Sequence, residues 1–351
     1  MTSNGENRSE SMAALFALAD LVSPMALRVA ASLRIFDRVA DGMDTIDALV
    51  TATGADPRGI AALTGHLVDR ELLTSEDGDR FGLTPLGAAL RDSAGPARAA
   101  LDLDGPVGRY DLAVFGLLDT VRSGEPAFEK LHGTTYWQSI SAAPASAAAL
   151  GELQSPVPLF DAELLLGKVD WSQARRIIDL GGSNGALLVA ILERHPHLTG
   201  AILDLPGLAE NAKRAVRESS VRERATVIPG DFFAGVPSGF DHYLLSAVLA
   251  DFDDERAVTL LRNVAAAEPA ARIVVSEVSM WVPGAPRDFR LDLLMMCGAA
   301  GFERDVDEVI ALALRAGLTP AATPVQFGQR FVVEFVAGSA ESAGSVVPAA
   351  R

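Results

Sequence analysis

The feature that most constrains the fold is a regular alternation of strand and helix patterns that begins at Ala174. Buried-strand patterns occur in RRIIDLGG, LTGAILDLP, RATVIPGDFF, DHYLLSAVL and RIVVSEVSM, and helix patterns such as ALLVAILERHP and GLAENAKRAVRES lie between them. This alternation predicts a parallel sheet covered by helices on both faces, which is an α/β fold. In such sheets ligands bind in the crevice at the carboxyl ends of the strands.

The stretch IIDLGGSNGALL predicts a strand, a glycine-rich turn and a helix in immediate succession. Asp179 lies near the strand end, and Gly181 and Gly182 let the backbone bend tightly and a ligand approach it closely. Two other interpretations fit the same letters. The Gly-x-Ser-x-Gly spelling around Ser183 matches the nucleophile elbow of hydrolases, and a glycine turn can open a dinucleotide site, although the spacing here is not GxGxxG.

Acidic residues at the next two strand ends favour a nucleoside ligand. Asp204 ends the second strand about 20 residues after the glycine turn, where a carboxylate can accept hydrogen bonds from both ribose hydroxyls. Asp231 and Phe232 end the third strand and could bind an exocyclic amine and pack on an adenine face. A glycine turn, a ribose acid and an adenine site without a diphosphate site predict S-adenosylmethionine as the cofactor.

Residues 44–90 read as a helix-turn-helix unit followed by a β-wing with the Asp77-Gly78 turn. Ten acidic residues and four arginines lie between Asp41 and Asp92, and the whole chain carries 46 acidic and 30 basic residues for a net charge of −16. This charge disfavours binding to nucleic acid and to an anionic membrane surface, so a winged-helix, ligand-sensing regulator is the weaker alternative. A small-molecule partner is expected, and no spacing resembles a metal site.

Four stretches make the chain resemble the plant-type (COMT-like) O-methyltransferases, in particular actinobacterial members that tailor aromatic polyketides: DLGGSNG, LDLPGLAENA, GDFFAGVPSGFDHYLLSAVLADFDDERAVTLLRNV and DLLMMCGAAGFERDVDEV. The resemblance implies a homodimer and a Rossmann-like methyltransferase domain with an α-helical, winged-helix-like N-terminal dimerisation domain. It also implies that a small set of residues contacts S-adenosylmethionine: Gly181, Asp204, Asp231, Phe232, Ser246 and, near the methionine end, Trp137.

The resemblance and the sequence patterns together divide the chain into five segments. These are a disordered N-terminus over 1–10, the dimerisation domain over 11–100, a helical linker and substrate-pocket region over 101–170, the cofactor-binding domain over 171–338 and a flexible tail over 339–351.

The resemblance also implies a missing catalytic residue. The fourth strand of the family runs into Leu-His-Asp-Trp, in which the histidine is the general base, whereas this chain has Leu249, Ala250, Asp251 and Phe252. The acids that support that histidine match two residues, Glu277 and Glu303.

Three explanations stay open. Methyl transfer can proceed mainly by proximity on an acidic hydroxyl, one of these carboxylates can be the base, or the fold can perform hydroxylation, decarboxylation or another rearrangement without methylation. The structural alternative for Asp251 is the N-cap of the helix that follows it.

An aromatic substrate is expected because aromatic residues collect between Tyr110 and Trp137. Arg109 and Tyr110 are candidates for binding this substrate, and Met295 and Met296 lie on a helix that lines the acceptor pocket in the family. A single cysteine, Cys297, and a polar N-terminus without a signal peptide predict a cytoplasmic protein.

Overall fold

The computed structural model describes residues 3–76, 78–154, 162–279 and 288–338. These residues form two compact units, Met1–Leu112 and Ala113–Arg351. The boundary differs from the predicted segments, because the helices after Ala113 belong to the same unit as the sheet. Residues 155–161 of the predicted linker and the predicted tail over 339–351 lie outside the described residues.

In its described residues, the first unit has eight α-helices and a two-stranded antiparallel sheet. Its helices are α1 (Ser3–Leu18), α2 (Val22–Ser32), α3 (Ile35–Ala40), α4 (Ile46–Thr53), α5 (Pro57–Asp69), α6 (Pro85–Ala88), α7 (Ala97–Leu101) and α8 (Pro106–Asp111), and its strands are β1 (Leu73–Ser75) and β2 (Phe81–Leu83). The Thr45 side chain caps α4 and Asp56 caps α5. The predicted helix pair followed by a β-wing is therefore present, packed around a core that includes Phe36, Leu49 and Ile60.

Helix α1 begins at Ser3, within the stretch for which disorder was predicted, residues 1–10. The reason is local, because the polar start is continuous with the helix-forming stretch SMAALFAL. By length and composition alone, Glu10–Ser32 is apolar enough to cross a membrane, which for one segment near the N-terminus is weak evidence. Its helix is interrupted, since α1 ends at Leu18 and α2 begins at Val22.

The second unit is a mixed sheet with helices packed on it. Its helices are α9 (Leu117–Ser123), α10 (Ala127–His132), α11 (Tyr136–Ala142), α12 (Pro144–Leu153), α13 (Ala186–Arg194), α14 (Pro206–Glu218), α15 (Asp254–Ala267), α16 (Arg290–Ala299) and α17 (Val306–Arg315). Its strands are β3 (Arg176–Leu180), β4 (Thr199–Asp204), β5 (Ala225–Pro229), β6 (His242–Ser246), β7 (Arg272–Val278), β8 (Leu318–Pro320), β9 (Val325–Phe327) and β10 (Arg330–Ala337).

The sheet has the strand order β5-β4-β3-β6-β7-β10-β8, and β9 pairs with β10. Strands β3 to β7 are parallel, whereas β10 is antiparallel to β7. Successive strand residues point to opposite faces, and both faces are buried: Ile178 and Tyr243 belong to one core cluster, and Ile177 and Leu244 to the other. The predicted α/β fold class is confirmed.

The turn after β6, which contains Ala250 and Asp251, is held in place by buried groups. Glu277 Oε1 accepts hydrogen bonds from the backbone N–H groups of Val248 and Leu249, at 3.1 and 2.8 Å. The guanidinium of Arg304, which is 2% exposed, donates to the carbonyl oxygens of Leu249 and Phe252 at 2.7 and 2.8 Å. Both partners approach from segments distant in sequence, so tertiary packing determines this turn.

Gly301 allows a third segment to approach the same turn. A Cβ atom at this position would lie 2.1 Å from the carbonyl oxygen of Ala250 and 2.9 Å from the carbonyl carbon of Asp251. Both neighbours are backbone atoms, so they cannot rotate away.

We therefore expect Gly301→Ala to lower the free energy of unfolding by about 1–3 kcal/mol, since the added methyl group forces the turn to shift. Chemical denaturation measures this change. The matched control is Gly235→Ala, because a Cβ there meets nothing within 4 Å and its effect should stay within about 0.5 kcal/mol. Equal stabilities of the two variants would contradict the close packing at Gly301.

Candidate functional site

A cavity of about 580 Å³ lies at the carboxyl edge of the parallel strands of the second unit. Gly181 follows β3, Asp204 ends β4, Asp231 follows β5 and Ser246 ends β6, and all four residues line it. The strand order reverses here, since β4 and β5 lie on one side of β3 and β6 and β7 lie on the other. Such a switch point is where open α/β sheets bind ligands.

The structure brings all eight residues predicted to bind the cofactor into this one cavity. Its lining includes Asp179, Gly181, Gly182, Asp204, Asp231, Phe232, Ser246 and Trp137, together with the catalytic candidate Asp251.

Asp204 is the best-defined polar group of the site. Its two carboxylate oxygens accept hydrogen bonds from the backbone N–H groups of Ser183 and Leu205, both at 2.7 Å. The residue is 6% exposed, and burial raises the pKa of its carboxyl to about 6 despite these hydrogen bonds. A carboxylate oxygen has two lone pairs, so each oxygen can still accept a bond from a ligand hydroxyl.

The glycine turn and the aromatic residues around it shape the wall next to Asp204. Gly181 has φ 74°, donates its N–H to the Leu203 carbonyl at 2.8 Å, and has no side chain, so the backbone is open to a ligand. A Cβ there would lie 3.0 Å from Val248 and 3.6 Å from Phe232. Phe232 packs edge-on against Phe252, with ring centroids 5.9 Å apart, which creates an apolar surface suited to a flat ring.

The described lining of the cavity is strongly acidic. It includes six carboxyl groups and only two guanidinium groups: Glu129, Asp179, Asp204, Asp231, Asp251 and Asp253 against Arg256 and Arg330. Such a surface favours a cationic ligand and disfavours one with a diphosphate. A sulfonium cofactor with a ribose and an adenine fits this donor and acceptor set.

The hydrolase interpretation of Ser183 finds no support in the site. The Ser183 hydroxyl donates to the side-chain oxygen of Gln154, and no histidine is among the described residues that line the cavity. A serine nucleophile therefore has no imidazole base here.

The three catalytic candidates occupy different places. Asp251 lines the cavity, whereas Glu277 and Glu303 are not among its lining residues. Glu277 is 1% exposed and uses one oxygen to hold the turn after β6, and burial raises its pKa to about 7. Glu303 is 5% exposed, and its backbone N–H donates to Asp292 at 2.9 Å.

Asp251 is not the N-cap of α15, so that interpretation of the sequence is wrong. The cap is Asp253, whose side chain accepts from the Arg256 N–H at 2.8 Å. The chain makes a short 3₁₀ turn over Leu249–Asp251 before the helix begins, which the adjacent aspartates in the sequence do not reveal.

None of the four predicted substrate residues is among the described lining residues of this cavity. Met295 and Met296 are on α16, but the cavity is lined by the end of that helix, from Gly298 to Ala300, one turn further along. Arg109 and Tyr110 are on α8 of the first unit, and their substrate role stays a prediction.

Two arginines at the cavity were missed by the sequence analysis. Arg330 is 8% exposed and opens β10, whose antiparallel pairing with β7 places it opposite Val278 at the carboxyl edge. Arg256 lies over the Phe233 ring at 4.4 Å. No local sequence signal marks Arg330, because its position depends on the pairing of strands some 50 residues apart. Arg256 could have been predicted, because it lies in the first turn of the helix that follows the Asp251 turn.

The raised pKa of Asp204 predicts a pH dependence of stability. The folded state holds this proton more tightly than the unfolded chain, so the carboxyl contributes stability at acidic pH that is lost as the pH rises from about 4 through about 6. We compare the free energies of unfolding of the wild type and of Asp204→Asn. The stability advantage of the wild type over the variant should fall by about 1 kcal/mol between pH 5 and pH 7. Denaturant unfolding across this pH range measures both free energies, and an advantage that does not change with pH would contradict the raised pKa of Asp204.

Comparisons with known proteins agree with this geometry. An O-methyltransferase dimerisation domain matches residues 16–93 and an O-methyltransferase domain matches residues 115–319. The chain is 40% identical to aclacinomycin 10-hydroxylase RdmB of Streptomyces purpurascens, over 93% of this chain and 90% of the relative. It is 38% identical to 2,7-dihydroxy-5-methyl-1-naphthoate 7-O-methyltransferase of Streptomyces carzinostaticus, over 89% of this chain and 95% of the relative.

The crystal structure of the neocarzinostatin O-methyltransferase NcsB1 with S-adenosyl-L-homocysteine and 1,4-dihydroxy-2-naphthoic acid superposes with a TM-score of 0.83 at 35% identity, covering 92% of this chain and 98% of that one. The predicted family and cofactor class are confirmed, and the dimerisation domain supports the predicted homodimer. The chain belongs to the O-methyltransferase family, with an N-terminal dimerisation domain and a Rossmann-like methyltransferase domain.

Proposed function

We propose that this protein transfers a methyl group from S-adenosylmethionine to a hydroxyl oxygen of an aromatic, polyketide-like small molecule. The observation that carries the proposal is the acidic cavity at the strand switch point, with the buried carboxylate of Asp204 in its wall. The naphthoate 7-O-methyltransferase and the naphthoic acid bound to NcsB1 support an aromatic acceptor.

Each residue at the strand ends would bind a different part of the cofactor. Asp204 would accept hydrogen bonds from the ribose hydroxyls, Phe232 would pack on the adenine, and Asp231 would bind its amine. The Asp231 side chain is oriented by the Phe233 N–H, which donates to it at 2.8 Å. When bound, S-adenosylmethionine supplies an electrophilic methyl group on a positively charged sulfur. The surrounding carboxylates stabilise that charge and help to select this ligand.

Proximity is the main source of rate in this proposal. Holding two reactants in line can supply about 7–11 kcal/mol, whereas a general base contributes roughly 10²–10⁴-fold. The absence of a histidine at Ala250 is therefore tolerable for an acceptor whose hydroxyl is already acidic, such as one conjugated to a quinone. Glu277 and Arg304 support the reaction by holding the turn that presents Asp251.

One wall of the cavity is aromatic and could contact the acceptor. Tyr136 and Trp137 pack edge to face, with ring centroids 5.0 Å apart, and both line the cavity. The indole Nε1 of Trp137 is buried and has no hydrogen-bond partner among the described residues, so it can donate to a ligand oxygen. We include a homodimer and a cytoplasmic location in the proposal, the latter supported by the single, buried Cys297.

A second candidate is non-methylating chemistry on the same scaffold, such as hydroxylation, decarboxylation or rearrangement. It is favoured by the 40% identity to a relative named as a 10-hydroxylase, together with the lack of a histidine in the described cavity lining. A DNA-binding regulator is disfavoured by the net charge of −16.

The test uses the full chain, S-adenosylmethionine labelled in its methyl group, and a set of aromatic hydroxy acids and hydroxyquinones. We expect the label to appear on an acceptor oxygen, as measured by mass spectrometry of the product. Asp204→Ala should lower the affinity for S-adenosylhomocysteine by roughly 10–100-fold, because a charged hydrogen-bond acceptor is lost. Titration calorimetry measures that affinity.

Asp307→Ala is the matched control for this variant. Asp307 is an exposed aspartate in the first turn of α17, outside the described cavity lining, so its removal should leave ligand affinity unchanged. A product that gains oxygen without the label would establish the second candidate. Unchanged affinity in Asp204→Ala would contradict the assigned cofactor site.

A further inference from the structure

Asp251 is a carboxylic acid in the cavity without a structural role of its own. Asp253 caps the following helix, and no described residue forms a hydrogen bond to the Asp251 side chain. Glu277 and Arg304 hold the backbone of the residues on either side of it, Leu249 and Phe252, and Gly301 approaches its own backbone closely. The structure thus keeps this side chain in position beside the ligand space without pairing it.

Several charged groups act on Asp251 electrostatically, line the same cavity or hold its turn. These are Glu277 and Arg330 on the adjacent antiparallel strands, Asp204 and Asp179 on the parallel strands, Arg304 before α17, and Asp253 and Arg256 at the start of α15. Burial, reinforced by the charges of Glu277 and Asp204, holds the pKa of Asp251 well above its ordinary value. The lack of a hydrogen-bond donor among the described residues and the like charges of Glu277 and Asp204 both disfavour the ionised form of Asp251 in the absence of a cation.

A cation bound in the cavity favours the ionised form of Asp251 instead. In S-adenosylmethionine the positive sulfur is bonded directly to the carbon next to the ribose ring, so a ribose held at Asp204 places it within this cavity. Asp204 and Asp251 line the same cavity and influence each other electrostatically. An opposite charge at short range favours the ionised form of a carboxyl group. S-adenosylhomocysteine has the same ribose but a neutral sulfur.

We propose that Asp251 responds to the charge of the cofactor: it is ionised when a sulfonium occupies the cavity and protonated when a thioether does. This inference rests on the proposed function. During transfer, Asp251 takes the proton of the acceptor hydroxyl as the oxygen–methyl bond forms and the sulfur–methyl bond breaks, with the electron pair of the broken bond left on sulfur. Charge is conserved, because one positive sulfur and one carboxylate are replaced by a neutral sulfur and a carboxylic acid.

The test measures protons rather than turnover. The full-length protein is titrated with S-adenosylmethionine and, separately, with S-adenosylhomocysteine, in buffers of different ionisation enthalpy and without acceptor. We expect S-adenosylmethionine to release up to about one more proton from the protein than S-adenosylhomocysteine does. The ratio of the two affinities should therefore rise in favour of S-adenosylmethionine by up to about tenfold per pH unit, until the pH exceeds the pKa of Asp251.

Asp251→Asn should abolish this difference while retaining affinity for S-adenosylhomocysteine, because an amide resembles the protonated carboxyl in shape. Asp307→Asn is the matched control: it removes an exposed acid in the first turn of α17, outside the described cavity lining, and should preserve the difference. Protons released by the ligands themselves are the same for every variant, so they drop out when the proton release of one variant is subtracted from that of another.

Two results would overturn the inference while leaving the proposed function intact. One is binding of both ligands with equal proton release, and the other is a difference in release that persists in Asp251→Asn. Failure of either ligand to bind would instead overturn the proposed function, and the inference with it.

Discussion

The burial of carboxyl groups at the carboxyl edge of the sheet is the constraint on which the site depends. Asp204 and Glu277 are both nearly inaccessible, and burial raises the pKa of the first to about 6 and of the second to about 7. Each is held by two backbone N–H groups: those of the turns after β3 and β4 hold Asp204, and those of the turn after β6 hold Glu277. Burying these carboxyl groups lowers the stability of the protein. A positively charged ligand bound beside them offsets the repulsion among their charges.

Much of this site could be predicted because its residues follow parallel strands directly. Asp204, Asp231 and the glycine turn each come at a strand end, and parallel strands bring those ends to one edge of the sheet. Arg330 could not be predicted in this way, since it enters through an antiparallel strand paired with β7. The helix cap was also misassigned, because Asp251 and Asp253 are equally suitable by residue type and only the 3₁₀ turn separates them.

The turn with Ala250 keeps its geometry without help from the side chain at position 250. Glu277, Arg304 and Gly301 hold the backbone of this turn whatever side chain occupies position 250. The next residue, Asp251, lines the cavity, whereas Ala250 is not among its described lining residues. Similarity to both a naphthoate methyltransferase and a 10-hydroxylase shows that this scaffold is associated with more than one reaction. The chemistry therefore depends on the acceptor and on the few polar groups beside it.

The most direct test of the central claim is a crystal structure of the protein with S-adenosylhomocysteine. The account predicts both ribose hydroxyls within hydrogen-bond distance of the Asp204 carboxylate, and the sulfur on the side of the cavity lined by Asp251. A nucleoside bound away from Asp204, or a sulfur screened from Asp251 by other side chains, would contradict it.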